Sequence, residues 1–162
     1  MFFLVRHADA GDKRRWADED DQRPLSPRGR SQADAIGHYI AGSGASRLLS
    51  SPFLRCVQTL VPITRRVGLP VATRTELGVG ASAEAVLALL ERPEVEGAVL
   101  CTHGETFNAL SLEWERSGRV DVVAPGRASS IAGTPKGGIW VVEDYTSSSA
   151  RALFIPPGLG GD

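Results

Sequence analysis

The sequence predicts a three-layer α/β/α sandwich with a mostly parallel central sheet and an antiparallel edge hairpin. Two observations carry this. Short apolar runs, each closed by polar, Gly or Pro residues, alternate with longer segments of helical periodicity, the pattern of a parallel sheet covered on both faces. The tail then breaks the alternation. Ile139 to Glu143 and Ala152 to Ile155 are extended apolar runs separated by Ser147-Ser148-Ser149, which reads as a hairpin at one sheet edge.

Taken in order, the first strand is Phe2 to Val5, followed by a polar loop from Asp9 to Pro24. Ser26 is an N-cap with Pro27 at the first helical position, where its missing N–H costs nothing. That helix carries Ala33, Ile36 and Ile40 on one face and stops near Gly42 and Gly44. Leu48 and Leu49 form a buried strand ending in Ser50-Ser51-Pro52. A helix from about Phe53 presents Leu60, Ile63 and Val67; Pro62 is expected to kink or shorten it, and Gly68 to stop it. Leu69 to Thr73 is a strand, Glu76 and Leu77 open a Gly-containing loop, and Ser82 caps a helix over Ala83 to Glu91. Gly97 to Thr102 is the clearest buried strand, and Glu105 to Arg116 the last helix. Residues 1–156 are expected to form one domain, with 157–162 a flexible tail.

Bulk properties exclude several classes. The 162 residues are 42% hydrophobic and 23% charged, ordinary globular values. A net charge of −1 gives no broad basic field for nucleic acid, and no apolar run reaches membrane-spanning length. No basic n-region or cleavage site precedes the first strand, and Cys56 and Cys101 are too few for a disulfide framework; a cytoplasmic location is expected. A cysteine phosphatase loop needs an arginine six residues after its cysteine. Those positions hold Pro62 and Phe107, so neither cysteine qualifies.

Chemistry concentrates at three strand ends. The first strand runs into Arg6-His7, the second through Ser50-Ser51-Pro52 into a helix whose first turn holds Arg55, and the Ala98–Thr102 strand into His103-Gly104. Open α/β sheets bind ligands at the carboxyl ends of their strands. Two imidazoles and two guanidinium groups meeting there suit phosphoryl transfer. Arginine forks meet equatorial phosphoryl oxygens bidentately, a neutral imidazole is a nucleophile near neutral pH, and a second imidazole can donate to the developing charge. Such a site needs no metal, and no cofactor is expected.

With these residues in view, the sequence resembles the histidine phosphatase superfamily, the phosphoglycerate mutase-like fold. The matching segments are Leu4-Val-Arg-His-Ala, Pro24-Leu-Ser-Pro-Arg-Gly-Arg-Ser-Gln-Ala, Ser50-Ser-Pro-Phe-Leu-Arg-Cys-Val-Gln-Thr and Cys101-Thr-His-Gly-Glu-Thr, in family order. Within the family the chain resembles the short branch containing the SixA phosphohistidine phosphatases. It also resembles the phosphatase half of actinobacterial MutT1-type proteins, a likeness that extends to Lys136-Gly-Gly-Ile-Trp-Val-Val. The resemblance implies that His7 is the nucleophile that becomes phosphorylated, that Arg6 and Arg55 clamp phosphate, and that His103 is the second pocket histidine. It places Glu76 near the usual proton donor, against the plainer reading of a solvated loop carboxylate. Ser50 and Gly104 join Arg6, Arg55 and His103 as expected substrate-binding positions.

Two departures stand out. Ala8 replaces the usual glycine after the Arg-His pair, which matters if the backbone there needs positive φ. The loop after His7 lacks the Glu-x-x-x-Asn pattern of glycolytic mutases, and no long lid insertion is visible, which argues against a sugar-phosphate mutase. Lys13, Arg14, Arg15 and Arg23 are candidates to ring the pocket mouth, balanced by the acidic run Asp18 to Asp21. Ser50 and Ser51 either donate to phosphate, orient Arg55 or cap the helix. The expected activity is therefore a metal-independent phosphatase acting on a phosphomonoester or a protein phosphohistidine. A nucleotide phosphatase and a non-catalytic phosphate-binding module stand as rivals. No nucleic-acid or membrane partner is expected, and the oligomeric state is left open.

Overall fold

The computed structural model describes residues 1–123 and 130–158. A seven-stranded sheet is built from β1 (Phe2–Arg6), β2 (Arg47–Ser50), β3 (Val71–Thr73), β4 (Ala98–Thr102), β5 (Val120–Val123), β6 (Ile139–Glu143) and β7 (Ala150–Ile155). Four helices accompany it: α1 (Pro27–Ala41), α2 (Leu54–Val67), α3 (Ala83–Leu90) and α4 (Gly104–Ser117). The strand order is β3-β2-β4-β1-β6-β7-β5. Only β6 runs against its neighbours; the other pairings are parallel.

The unbroken apolar runs follow from burial on both faces. Along β1, Phe3 and Val5 pack with Ile36 and Ile40 of α1 and Leu60 and Ile63 of α2. Phe2 and Leu4 point the other way, among Val86 and Leu89 of α3 and Phe107, Leu110 and Trp114 of α4. The strand alternation thus feeds two cores, and the predicted three layers result.

Local signals account for most element ends. The Ser26 hydroxyl accepts the Gly29 N–H at 3.0 Å, with Pro27 in the first turn of α1. Ser82 caps α3 in the same way, and α2 ends at Gly68. Pro62 does not shorten α2, which continues to Val67. The predicted hairpin forms as β6 and β7, but it is not outermost. β5, which the sequence pattern does not reveal, lies parallel to β7 at the edge. Trp114 and Trp140 are core aromatics. Of the expected tail, residues 159–162 lie outside the described residues. No helix among the described residues is long and apolar enough to cross a membrane.

Register is what positions the chemistry. Arg6 pairs with Thr102, and Ser50 with Cys101, so β1, β2 and β4 end nearly level. His7, Ser51 and His103 each stand one residue beyond a strand end. A turn from β6 fastens this edge: the Arg6 N–H donates to the Gly138 carbonyl at 3.0 Å, and the Gly137 N–H to the Arg6 carbonyl at 3.1 Å.

Candidate active site

A cleft of about 400 Å³ opens over this sheet edge and is lined by Arg6, His7, Arg55, His103 and Gly104. Lys13, Arg23 and Lys136 also line it, so five cationic side chains face three carboxylates, Asp12, Asp20 and Glu105. A groove of about 410 Å³ between α1 and α2 is comparable in size, but no imidazole or thiol lines it.

His7 is buried, and its Nδ1 lies 2.8 Å from the Ala8 carbonyl oxygen. A carbonyl only accepts, so Nδ1 carries the proton and Nε2 keeps its lone pair. Nε2 faces the Nε–H of Arg55 at 3.4 Å. Burial, with Arg55, Arg6 and Lys136 close by, pushes the pKa of His7 down to about 4; the Ala8 hydrogen bond opposes this. The ring is neutral at neutral pH.

His103 sits edge-on to His7, ring centres 5.3 Å apart. Its Nε2 is 2.8 Å from the Ser51 hydroxyl, which also accepts the Phe53 N–H at 3.3 Å. Its Nδ1 turns toward Arg55 Nη2 at 3.5 Å. Burial, then the charges of His7 and Arg55, lower its pKa to about 3. Ser51 therefore orients His103. Ser50 turns away, donates to the Ser51 carbonyl at 2.7 Å, and does not line the cleft.

Arg55 joins the two imidazoles. Its Nε and Nη2 face His7 and His103, while Nη1 donates to the Asp20 carbonyl at 2.7 Å and Nη2 to Asp20 Oδ2 at 3.1 Å. Arg6 donates from Nη1 to the Thr134 carbonyl at 2.6 Å, while its buried Nε finds no acceptor among the described residues. A buried donor without a partner is costly, and an anion's oxygen would satisfy it. Burial lowers the Arg6 pKa, with nearby Glu105 opposing. The guanidinium lies against Gly104, where an added Cβ would stand 2.9 Å from Nη2 and 3.0 Å from Cζ. Gly104 thus makes room for Arg6 at the start of α4.

The loop after β1 is anchored from several sides. Asp9 accepts from the Ser26 hydroxyl at 2.6 Å and from Lys136 Nζ at 2.9 Å; these bonds hold its carboxyl well below the usual carboxylate range. The first turn of α1 packs so closely on Asp9 that a Cβ at Gly29 would fall 1.9 Å from the Asp9 carbonyl oxygen. Ala8 is absorbed without strain. Its φ is not positive, its N–H donates to Thr59 Oγ1 at 3.0 Å, and its methyl packs with Leu25 and Ala33.

Three of the other candidates lie outside the cleft: Glu76, Arg14 and Arg15. Glu76 does not line the cleft and pairs with Arg92 Nη1 at 3.0 Å. Arg14 pairs with Asp12, and neither Arg14 nor Arg15 lines the cleft. Lys13 and Arg23, expected at the mouth, do line the cleft; Arg23 is also buried, donating to the Ala10 carbonyl at 2.7 Å and to Asp20 Oδ1 at 3.0 Å. Glu105 also lines the cleft. Asp20 and Ser51 are the site residues whose positions the sequence reading did not resolve. Ser51, like His7 and His103, is the first residue beyond its strand.

Residues 2–78 match the histidine phosphatase superfamily, branch 1. The matched part carries Arg6, His7 and Arg55. Over 161 residues the chain is 29% identical to the 8-oxo-(d)GTP phosphatase of Mycolicibacterium smegmatis, covering 95% of this chain and 47% of that one. It thus spans about half the length of that curated relative. Among solved structures, SixA from Agrobacterium tumefaciens aligns with a TM-score of 0.72 at 25% identity, covering 96% of this chain and 97% of that chain. A SixA protein histidine phosphatase complexed with tungstate aligns at 0.70 and 24% identity, covering 96% of each chain, and shows the same fold. The chain is therefore similar to phosphatases in sequence and in architecture.

Proposed function

We propose that this chain is a metal-independent phosphatase that forms a covalent phosphohistidine on His7. The observation that carries the reading is the neutral, lone-pair Nε2 of His7, faced by Arg55 inside a cationic cleft. Nε2 attacks phosphorus in line, and the bond from phosphorus to the leaving group breaks with its electron pair going to the leaving atom. Arg55, through its Nε and Nη2 edge, and Arg6, through its unpartnered Nε, take the equatorial oxygens. With the Ser51 hydroxyl donating to Nε2 of His103, the Nδ1–H of His103 donates to the same phosphoryl group. Water then cleaves the phosphorus–nitrogen bond and regenerates His7.

The carboxylates bear on the substrate. Glu76 is paired with Arg92 outside the cleft, Asp20 is held by Arg55 and Arg23, and Asp12 by Arg14. Glu105 lines the cleft without an ion pair among the described residues, so it is the one cleft carboxylate not engaged in this way. A leaving group that needs no strong acid, such as the imidazole of a phosphohistidine on a protein, suits a site whose other carboxylates are held. The similarity to SixA supports this substrate class. A nucleotide phosphate is the second reading, supported by the 8-oxo-(d)GTP phosphatase relative and by Lys13 and Lys136 beside the phosphoryl position.

The test is chemical trapping. His7→Ala abolishes hydrolysis of an aryl phosphate, and the unaltered chain acquires acid-labile, base-stable label from a phosphorus-labelled substrate at His7. Full activity of His7→Ala refutes the mechanism, and a correctly folded chain that hydrolyses and traps nothing favours a phosphate-binding module. Phosphohistidine protein, nucleotides and sugar phosphates compared by kcat/KM decide between the substrate classes.

A further inference from the structure

Asp20 belongs to an acidic run that looks like a solvated surface stretch, yet it is the residue that grips Arg55. A guanidinium group has five N–H donors arranged around a rigid plane, so fixing one edge fixes the direction of the other. The backbone carbonyl of Asp20 takes Nη1 at 2.7 Å and its carboxylate Oδ2 takes Nη2 at 3.1 Å. The remaining edge, Nε and Nη2, then points at His7 Nε2 and His103 Nδ1, at 3.4 and 3.5 Å.

Asp20 is itself held. Arg23 donates from Nε to Asp20 Oδ1 at 3.0 Å, and from Nη1 to the carbonyls of Ala10 at 2.7 Å and Gly11 at 3.3 Å. Only 7% of Arg23 is exposed, so this anchor is part of the interior. Lys13 Nζ adds a looser contact at 3.6 Å. A continuous polar chain therefore runs from the loop backbone at Ala10 through Arg23, Asp20 and Arg55 to the nucleophile.

We propose that Asp20 is a positioning residue, which occupies the outer edge of Arg55 so that its inner edge meets the phosphoryl group on His7. This rests on the reading of His7 as the nucleophile. Two other roles for a carboxylate here predict different behaviour. A plug that mimics phosphate would compete with anions for Arg55. A proton donor would matter more as the leaving group became more basic.

The experiment measures kcat/KM of the full chain and of Asp20→Ala and Asp20→Asn on aryl phosphates of graded leaving-group pKa, with vanadate affinity as the binding probe. The expected result for Asp20→Ala is a loss of about 10- to 100-fold in kcat/KM, the scale of one charge-assisted hydrogen bond, equal across leaving groups. Vanadate binding weakens in parallel, and Asp20→Asn, which keeps an acceptor of the same shape, recovers part of both. Should Asp20→Ala not fold, the isosteric Asn variant decides by the same criteria with a smaller loss. Tighter vanadate binding, a loss that grows with leaving-group pKa, or unchanged kinetics in the folded variants each overturn the proposal. His7→Ala, run alongside, separates the two failures: if it stays active, the reading of the nucleophile falls, whatever Asp20 does.

Discussion

Holding two buried imidazoles neutral has a cost that appears in acid. An unfolded histidine titrates near pH 6.5, whereas His7 in the folded chain titrates at about 4 because burial and the nearby cations oppose its charge. Between these values the unfolded state binds the proton and the folded state does not. Stability is therefore intact above pH 6.5, falls as pH drops through this window, and levels off for this group below about 4. At about 1.4 kcal/mol per pH unit, the full loss from His7 is roughly 3 kcal/mol, of which about 2 kcal/mol is already gone at pH 5. His103, at about 3, acts in the same direction, but the charge of His7 is among the causes of its low value, so the two contributions do not simply add. The assay is urea unfolding at pH 7.5, 6, 5 and 4 for the unaltered chain and for His7→Gln, whose amide does not titrate. The comparison is of slopes, which is independent of the stability from which the variant starts. Its curve is expected to be flatter between pH 6.5 and 4 by about 2 kcal/mol or more. Parallel curves would refute the claim that His7 is held neutral by its surroundings.

Three further outcomes follow from contacts already described. Gly29→Ala places a methyl 1.9 Å from the Asp9 carbonyl oxygen, backbone against backbone, and is expected to lower stability by about 3 kcal/mol, read as a fall in Tm. Gly104→Ala meets only the end of the Arg6 side chain, at 2.9 Å, so Tm should move little while kcat/KM on an aryl phosphate falls at least about 10-fold as the guanidinium is displaced. Glu76→Gln should leave kcat on an activated aryl phosphate within about twofold, because the carboxylate pairs with Arg92 outside the cleft and an exposed pair contributes about 1 kcal/mol or less.

The parts of this molecule legible in the sequence are those decided within a few residues. Ser26, Pro27, Ser82 and Gly68 mark helix ends by local hydrogen bonding or backbone conformation, and the apolar runs of β1 and β4 reflect burial on two faces. β5 was not legible. Its four residues follow α4 closely, and what makes them a strand is pairing with β7, thirty residues further on. Arg6, His7, Arg55 and His103 could be read because their elements bring them to one edge by topology alone. The direction of Glu76 depends on Arg92, and the role of Asp20 on Arg55, neither of which is near in sequence or fixed by periodicity; Arg23, three residues from Asp20, is near, but nothing local shows that it turns inward. Asp20 also lies in a loop where a run of acids normally means solvation, so its composition pointed away from its role.

Hydrogen bonding separates Ser51 from Ser50: the Ser51 hydroxyl meets His103 Nε2 at 2.8 Å, while the Ser50 hydroxyl donates to the Ser51 carbonyl at 2.7 Å. Side chains alternate across a strand, so neighbouring serines at a strand end face opposite ways. By the pairings of Ser50 with Cys101 and Arg6 with Thr102, His7 stands level with His103, while Ser51 stands one step back, level with Thr102 and Arg6. A slip of one residue between β1 and β4 would take His7 out of level with His103 and turn its side chain to the other face of the sheet. The apolar residues that forbid such a slip are those feeding the two cores, Phe3 and Val5 on one face and Phe2 and Leu4 on the other. The hydrophobic pattern of β1 therefore does more than hold the sheet together: it fixes the register that sets His7 Nε2 against Arg55.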